Sequence, residues 1–228
     1  MLFRGTLVNV GAIGAGCLIG IVLKNRFPEK IRKIIMQSLG LSSLLIGMQM
    51  ALKTENVLIL IFSLVIGGVI GECLHLEDGL ERWGEKIKIK LQNINPDDRF
   101  IEGFVTASLL YCIGSMAIMG ALEEGLNGNS DILFAKSLLD GVTSIAFSAA
   151  MGIGVLFSAF PVLIYQGGIT LLAQFIKDLL SPEVIKEMTA TGGVLILGIA
   201  LGLLEIKKIK TGNLLPAILV AALLASFF

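Results

Sequence analysis

Long stretches without a charged residue recur along this chain, and they constrain its fold more than any other feature. Six of them are 16 to 20 residues long. A helix needs about 20 mostly apolar residues to cross the hydrocarbon core of a bilayer. Each stretch therefore predicts one membrane-spanning helix, and the six stretches are 5–23, 34–52, 56–71, 103–122, 188–204 and 211–228.

A seventh stretch is too long for one span. Between Asp140 and Lys177 lie 36 uncharged residues. Pro161, near the middle, cannot continue a helix without the loss of a backbone hydrogen bond, and it disfavours a helical conformation of the residue before it. We predict two spans joined by residues 157–161, which gives about eight spans in all. Seven spans, or eight with a re-entrant segment around Pro161, are the alternatives.

The composition agrees with a membrane protein. Charged residues make up 16% of the chain and hydrophobic residues 55%, whereas a soluble domain has about 25% charged residues. Glycine is frequent, with 27 of 228 residues, and small residues let membrane helices approach closely. The formal net charge of zero excludes the basic footprint of a nucleic-acid-binding protein. The predicted fold is an all-α, polytopic transmembrane helical bundle.

The positions of lysine and arginine orient the predicted spans, because cytoplasmic loops carry an excess of both. If both termini lie outside, the inside loops hold 13 basic residues and the outside segments hold five. We therefore predict a multi-pass protein with both termini outside.

One hydrophilic segment, 76–99, separates the third and fourth spans. Its apolar residues recur at steps of four, three, four and four, the spacing of one face of a helix: Leu76, Leu80, Trp83, Ile87 and Leu91. We predict a cytoplasmic helix over 76–91 that lies against the lipid headgroups or beneath the bundle. A helix that binds a partner protein is the alternative.

The two ends of the chain share short motifs in the same order. PEKIR at 28–32 reappears as PEVIK at 182–186, and KTEN at 53–56 reappears as KTGN at 210–213. The offsets are 154 and 157 residues, so spans 1–3 correspond to spans 6–8. A shift of five spans makes the two copies cross the membrane in opposite senses, as in the inverted repeats of many secondary transporters. Chance similarity between apolar segments is the alternative.

These features predict a single integral membrane domain over 1–228. It begins with the first repeat at about 5–75, which is followed by the amphipathic linker at 76–99. The central spans occupy 100–160, and the second repeat occupies about 161–228.

The fifth span carries a polar stripe. Ser137, Asp140 and Ser144 are three and four residues apart and share one helical face. Lys136 precedes Asp140 by four residues, so the two can form an ion pair. A carboxylate flanked by hydroxyls can coordinate a cation or carry a proton. Because Asp140 stands at the end of an uncharged stretch, an interfacial aspartate that only pairs with Lys136 is the alternative.

Other polar residues interrupt neighbouring spans. Gln166 and Thr170 lie four residues apart in the sixth span, beside Tyr165. Asn9 lies in the first span and Ser108 in the fourth. These groups can bind a solute, although such side chains also bond helices to one another. We predict a polar substrate or ion site between spans 1, 5 and 6.

Glu72 and His75 follow the third span and predict a gate or an interfacial pair. His75 is the single histidine, and the three cysteines are widely spaced. The chain therefore lacks the ligand patterns of metal sites and disulfide frameworks. We predict no metal, no cofactor and no enzymatic activity.

Four motifs in the centre of the chain carry a resemblance. They are GFVTASL at 103–109, KSLLDG at 136–141, GIGV at 152–155 and YQGG at 165–168. Their order and spacing resemble the domain of unknown function 554 family, the YqgA-like bacterial membrane proteins. The resemblance covers nearly the whole chain and implies a multi-pass protein of the bacterial cytoplasmic (inner) membrane with a transporter label. Three positions depart from the expected pattern: Ser115 in place of proline, and Glu72 and Glu124 in place of aspartate.

Two functions follow from these features. The first is a transporter or channel for an unidentified small solute or ion, with the polar site between spans 1, 5 and 6. The second is a non-transporting membrane scaffold or sensor that binds a partner through helix 76–91. In either case we expect contact with the lipid bilayer, no nucleic-acid partner and assembly into a homo-oligomer.

Overall fold

Every regular element that the structure describes is helical, which confirms the predicted all-α class. The computed structural model describes residues 3–24, 28–79, 82, 86, 99–177 and 180–227. The elements are α1 (Arg4–Lys24), α2 (Glu29–Ala51), α3 (Val57–Cys73), α4 (Phe100–Ile113), α5 (Ser115–Asn127), α6 (Asp131–Met151), α7 (Gly154–Phe157), α8 (Ala159–Ile176), α9 (Pro182–Leu203), a 3-10 turn (Thr211–Leu214) and α10 (Pro216–Ala225).

Several helices have the length and composition of membrane spans. Within the described residues five qualify: Arg4–Lys24, Lys33–Ala51, Asp131–Met151, Gly154–Phe175 and Pro182–Leu203. A sixth is added if α4 and α5, bent by 55° at their junction, count as one span. Two shorter apolar helical segments are Val57–Cys73 and Thr211–Ala225. The chain is therefore a multi-pass helical membrane protein, and the number of eight spans stays a prediction.

The junction of the fifth and sixth predicted spans lies earlier than the sequence suggested. Pro161 is the third residue of α8, where a backbone N–H has no acceptor within the helix. The chain instead turns at Gly152, whose φ of +81° favours glycine. The predicted join at 157–161 is therefore wrong. The fifth span becomes Asp131–Met151, and this places Lys136 and Asp140 inside it.

The helices form two compact units. Unit 1 is drawn from Met1–Ile35 and Leu91–Lys177, and unit 2 from Met36–Lys90 and Asp178–Phe228. Each unit has its own core of apolar side chains and glycines. The single domain over 1–228 stays a prediction.

In unit 1, helices α1 and α6 pack in parallel. Residues of α1 contact residues 128 positions later in α6, as Gly5 contacts Leu133 and Gly20 contacts Ser148. A Cβ at Gly16 or Gly20 would overlap a backbone carbonyl of α6. Glycine is therefore required for this close approach, as the G-x-x-x-G spacing indicates.

Unit 2 contains two antiparallel helix pairs. In the first, Gly67 of α3 lies against Ala217 of α10, and Gly71, one turn later, lies against Asn213, which precedes α10. As the residue number rises along α3, the number of the contacting residue falls, so the two helices run in opposite directions.

The second pair in unit 2 joins α2 to α9. Gly40 lies against Leu204, and Gly47 lies against Gly193. The order again reverses, so α2 and α9 are antiparallel. The hairpin α2–α3 therefore packs against the hairpin α9–α10 with both of its helices reversed.

Candidate functional site

A lysine and an aspartate form a buried ion pair in the middle of α6. Lys136 Nζ donates a hydrogen bond to Asp140 Oδ2, and the two side chains are 5% and 10% exposed. Asp140 is the tenth of the 21 residues of α6 and therefore lies well inside the helix. The count of uncharged residues had placed it at the end of a span. Ionisable groups within membrane helices are costly and are usually paired in the protein interior.

Two amide side chains extend this pair across three helices. Asn9 of α1 donates through Nδ2 to Asp140 Oδ2 at 3.0 Å and to Gln166 Oε1 of α8 at 3.3 Å. Both amides are fully buried. Helices α1, α6 and α8 are the first, fifth and sixth predicted spans, and the structure brings their polar residues together.

The two amides are incompletely satisfied. Asn9 Oδ1 and Gln166 Nε2 are buried and have no hydrogen-bond partner in the part of the chain that the structure describes. Buried polar atoms in proteins almost always have a partner, and each one left without a partner costs about 1–3 kcal/mol. The cluster therefore holds one acceptor and one donor that are free to bind another molecule.

A tyrosine and a serine complete the cluster. Tyr111 Oη and Ser144 Oγ share a hydrogen bond of 2.8 Å, and both residues are buried. Lys136 Nζ lies 5.8 Å from the centroid of the Tyr111 ring, within range of a cation–π interaction. Tyr111 was not a predicted site residue. Its position three residues after Ser108, on the same helical face, was the available signal.

Four predicted site residues have other surroundings. Ser137 and Ser108 each donate a hydrogen bond to the carbonyl four residues earlier in their own helices, a common use of hydroxyls within helices. Thr170 donates to a carbonyl of α5 at 3.2 Å and so joins α8 to α5. Tyr165 is half-buried, and its hydroxyl makes no hydrogen bond within the described residues. The structure therefore groups Asn9 with Asp140 and Gln166 more closely than with these four.

Glu124 is a buried carboxylate that was not among the predicted site residues. Its Oε1 accepts hydrogen bonds from the backbone N–H of Gly5 and from Ser130 Oγ, both at 2.7 Å. Gly5 is in the first turn of α1, where N–H groups lack helical acceptors and the helix dipole favours negative charge. Glu124 Oε2 has no partner among the described residues. The sequence signal was weak, because Glu124 merely follows Glu123, the residue that ends an uncharged stretch.

The predicted gate residues lie in unit 2 and have structural surroundings. Glu72 Oε2 accepts from Asn213 Nδ2 at 2.6 Å, and Glu72 Oε1 is 3.4 Å from Lys210 Nζ. His75 has a φ of +52° just after α3, the left-handed conformation that commonly ends a helix. Its imidazole is exposed, 3.6 Å from the Asp78 carboxylate.

A second carboxylate in unit 2, Glu187 of α9, is fully bonded. Its Oε2 accepts from Thr54 Oγ1 at 2.7 Å, and its Oε1 accepts from the backbone N–H groups of Glu55 and Asn56 at 2.7 and 3.1 Å. These donors form the loop that leads into α3. Glu187 therefore holds that loop.

The cluster of unit 1 offers hydrogen bonds around an ion pair. Within the described residues there is no group of three or more His, Cys, Asp or Glu side chains that could hold a metal ion. Cys17 is buried, Cys112 is half-buried and Cys73 is exposed, and all three are free thiols. The predicted cytoplasmic helix over 76–91, with its alternative role in partner binding, lies largely outside the described residues, and its described positions are helical.

Several apolar helices of membrane-spanning length, with a buried ion pair inside one of them, define a polytopic helical membrane protein. A family model described as "Protein of unknown function (DUF554)" matches residues 4–226. The chain belongs to this family, which confirms the resemblance carried by the central motifs.

Two relatives match almost from end to end. The chain is similar to "Uncharacterized membrane protein YdfK" of Bacillus subtilis (strain 168), with 35% identity over 220 residues, which are 95% of this chain and 93% of that protein. It is also similar to "Uncharacterized protein YqgA" of Escherichia coli (strain K12), with 34% identity over 224 residues, 95% of this chain and 94% of that protein. No solved structure matches the chain.

Proposed function

We propose that the protein is a transporter for a small solute or ion and has no enzymatic activity. The observation that carries this proposal is the buried Lys136–Asp140 pair in the middle of α6, bonded to an amide pair with two free polar atoms. Such groups are expensive inside a membrane and typically mark solute or ion pathways.

The burial of the cluster favours a transporter over an open channel. Asn9, Gln166 and Ser144 are fully buried, and Lys136 and Asp140 are buried. A solute reaches these groups only if the helices around them move. Alternating access, in which the site opens to one side at a time, fits this burial better than a continuous pore.

We also propose eight spans with both termini outside, in the bacterial inner membrane. Five long helices, the bent pair α4–α5 and the two shorter apolar segments add up to eight. The excess of basic residues in the inside loops supports this orientation.

Two features of unit 2 support an inverted repeat. The hairpins α2–α3 and α9–α10 pack with both helices reversed, as inverted copies would. In addition, the backbone N–H of Glu55 donates to Glu187, and the backbone N–H of Gly212 donates to Glu77 at 2.7 Å. Glu55 and Gly212 are related by the 157-residue offset of the sequence repeat, so equivalent backbone N–H groups each donate to a glutamate.

The test is a flux screen with the purified protein in liposomes. Ion and metabolite fluxes are compared with those of empty vesicles, and then measured for Asp140→Asn and for Asp131→Asn, the same change at an exposed acid at the start of α6. We expect Asp140→Asn to lose transport and Asp131→Asn to keep it. Transport by Asp140→Asn at the wild-type rate, or no flux above that of empty vesicles, would contradict the proposal.

Homo-oligomeric assembly stays a prediction. Cross-linking of the reconstituted protein tests it, and a monomer band alone would contradict it.

A further inference from the structure

The hydrogen bonds of the cluster define the orientation of both amides. This inference rests on the proposed function, because it names the solute class for the same site. A carboxylate only accepts hydrogen bonds, so the Asn9 group that faces Asp140 Oδ2 is its NH₂. The same Nδ2 faces Gln166, which must therefore present its oxygen. Neither amide can be flipped without setting two acceptors or two donors against each other.

With both orientations fixed, the two free atoms have opposite character. Asn9 Oδ1 is an acceptor and Gln166 Nε2 is a donor, and both are buried without a partner in the described part of the chain. A molecule that satisfies both must offer one donor and one acceptor. An anion such as a carboxylate offers only acceptors, and a cation such as an amidinium offers only donors.

The charge of the cluster points the same way. Lys136 and Asp140 are bonded to each other, so the pair has no net charge. A solute with a net charge would enter a buried site without a countercharge for it, and burial of an unpaired charge is strongly unfavourable. An uncharged solute leaves the pair intact.

We propose that the site binds a small uncharged solute of the carboxamide or urea class, which presents an N–H to Asn9 Oδ1 and a carbonyl oxygen to Gln166 Nε2. The two amides would recognise the solute through hydrogen bonds, and the ion pair would hold Asn9 in position through Asp140. Tyr111 and Ser144 bond to each other and take no direct part.

Three isosteric probes test the solute class on the wild-type protein in nanodiscs. Acetamide, acetate and acetamidinium have the same planar shape and differ in charge and in donors and acceptors. Binding is measured by isothermal titration calorimetry. We expect acetamide to bind at least about tenfold more tightly than either ion, because each ion leaves one buried amide atom unpaired.

A variant and its matched control sharpen the test. Gln166→Glu replaces the free donor with an acceptor and keeps the oxygen that faces Asn9. We expect acetamide affinity to fall at least about tenfold and acetamidinium to become the preferred probe. Gln174→Glu makes the same change on an exposed face of α8 and should leave the wild-type preference unaltered.

The outcomes separate this inference from the proposed function. Tighter binding of acetate or acetamidinium than of acetamide by the wild type would overturn the solute class and leave transport standing. If none of the probes binds while the flux screen finds another transported solute, the class is again wrong. If no probe binds and the proteoliposomes transport no ion or metabolite faster than empty vesicles, both proposals fail.

Discussion

Two buried polar sites, one in each unit, differ in how completely their hydrogen bonds are satisfied. In unit 2, Glu187 accepts three hydrogen bonds from the loop before α3, and each of its oxygens is used. In unit 1, the Asn9 and Gln166 amides are as deeply buried, yet each keeps one atom without a partner in the described chain. Glu187 also lies near a helix end, whereas Asp140 lies in the middle of a helix.

The difference distinguishes polar groups that stabilise the fold from polar groups that can bind a ligand. A carboxylate saturated by backbone N–H groups stabilises the fold and has little left to offer a ligand. An amide with a free atom carries a free-energy cost in the folded protein, and a bound molecule can relieve it. Substitution of Glu187 should therefore change stability with little effect on transport, and substitutions in the unit 1 cluster should change transport beyond any change in stability.

The largest effect is expected at Asp140. Asp140→Leu leaves Lys136 buried without its partner and should lower the free energy of unfolding by about 3–5 kcal/mol. The double variant Lys136→Met with Asp140→Leu removes both charges and should recover most of that stability. Neither variant should transport. Thermal melting in nanodiscs measures stability, and liposome flux measures transport. Transport by the double variant would show that the ion pair, like Glu187, has only a structural role.

A smaller loss of stability is expected at Glu187. Glu187→Met removes the acceptor of three hydrogen bonds and should cost about 2–3 kcal/mol, while the flux per folded molecule stays within about twofold of wild type. Lys186→Ala, which removes a neighbouring exposed ion pair with Glu55, serves as the control and should change the melting temperature much less. A selective loss of flux in Glu187→Met would make this carboxylate functional.

Glycine-to-alanine substitutions at two positions of α1 should have opposite effects on stability, because only one of the positions contacts α6. Gly20→Ala places a Cβ against Ser148 Oγ and a carbonyl of α6 and should cost about 1–3 kcal/mol. At Gly14 a Cβ meets no described atom within 4 Å, so Gly14→Ala should be neutral or stabilise by up to about 1 kcal/mol. Equal melting temperatures of the two variants would contradict the close packing.

The smallest effect is expected at His75, the predicted gate. Because this residue has a left-handed conformation, His75→Gly should raise the free energy of unfolding by about 0.5–1 kcal/mol. Flux should not change if His75 only ends α3. A reproducible fall in flux at unchanged stability would support the gate hypothesis.

The sequence predicted the membrane class and the residues of the cluster better than it predicted their depth. The i, i+4 spacing of Lys136 and Asp140 predicted their pairing, and the polar residues of spans 1, 5 and 6 do meet. Their central position in α6 was missed because a count of uncharged residues treats every charge as a boundary. A buried ion pair violates that assumption, since each partner lowers the cost of the other.

Two further features depended on tertiary structure. Pro161 suggested a break, but a proline in the first turn of a helix removes no helical hydrogen bond, and the actual turn uses Gly152. Glu124 was unassigned because its role depends on the N-terminus of α1, which is more than 100 residues away in sequence. Local patterns carry no information about such contacts.

The mutual neutralisation of Lys136 and Asp140 has an electrical consequence. Moving one elementary charge across a membrane potential involves about 2.3 kcal/mol per 100 mV. The ion pair has no net charge, so a rearrangement that carried both groups together through the membrane field would transfer no net charge. Asp140→Asn would leave Lys136 as an uncompensated charge and make the same rearrangement sensitive to voltage.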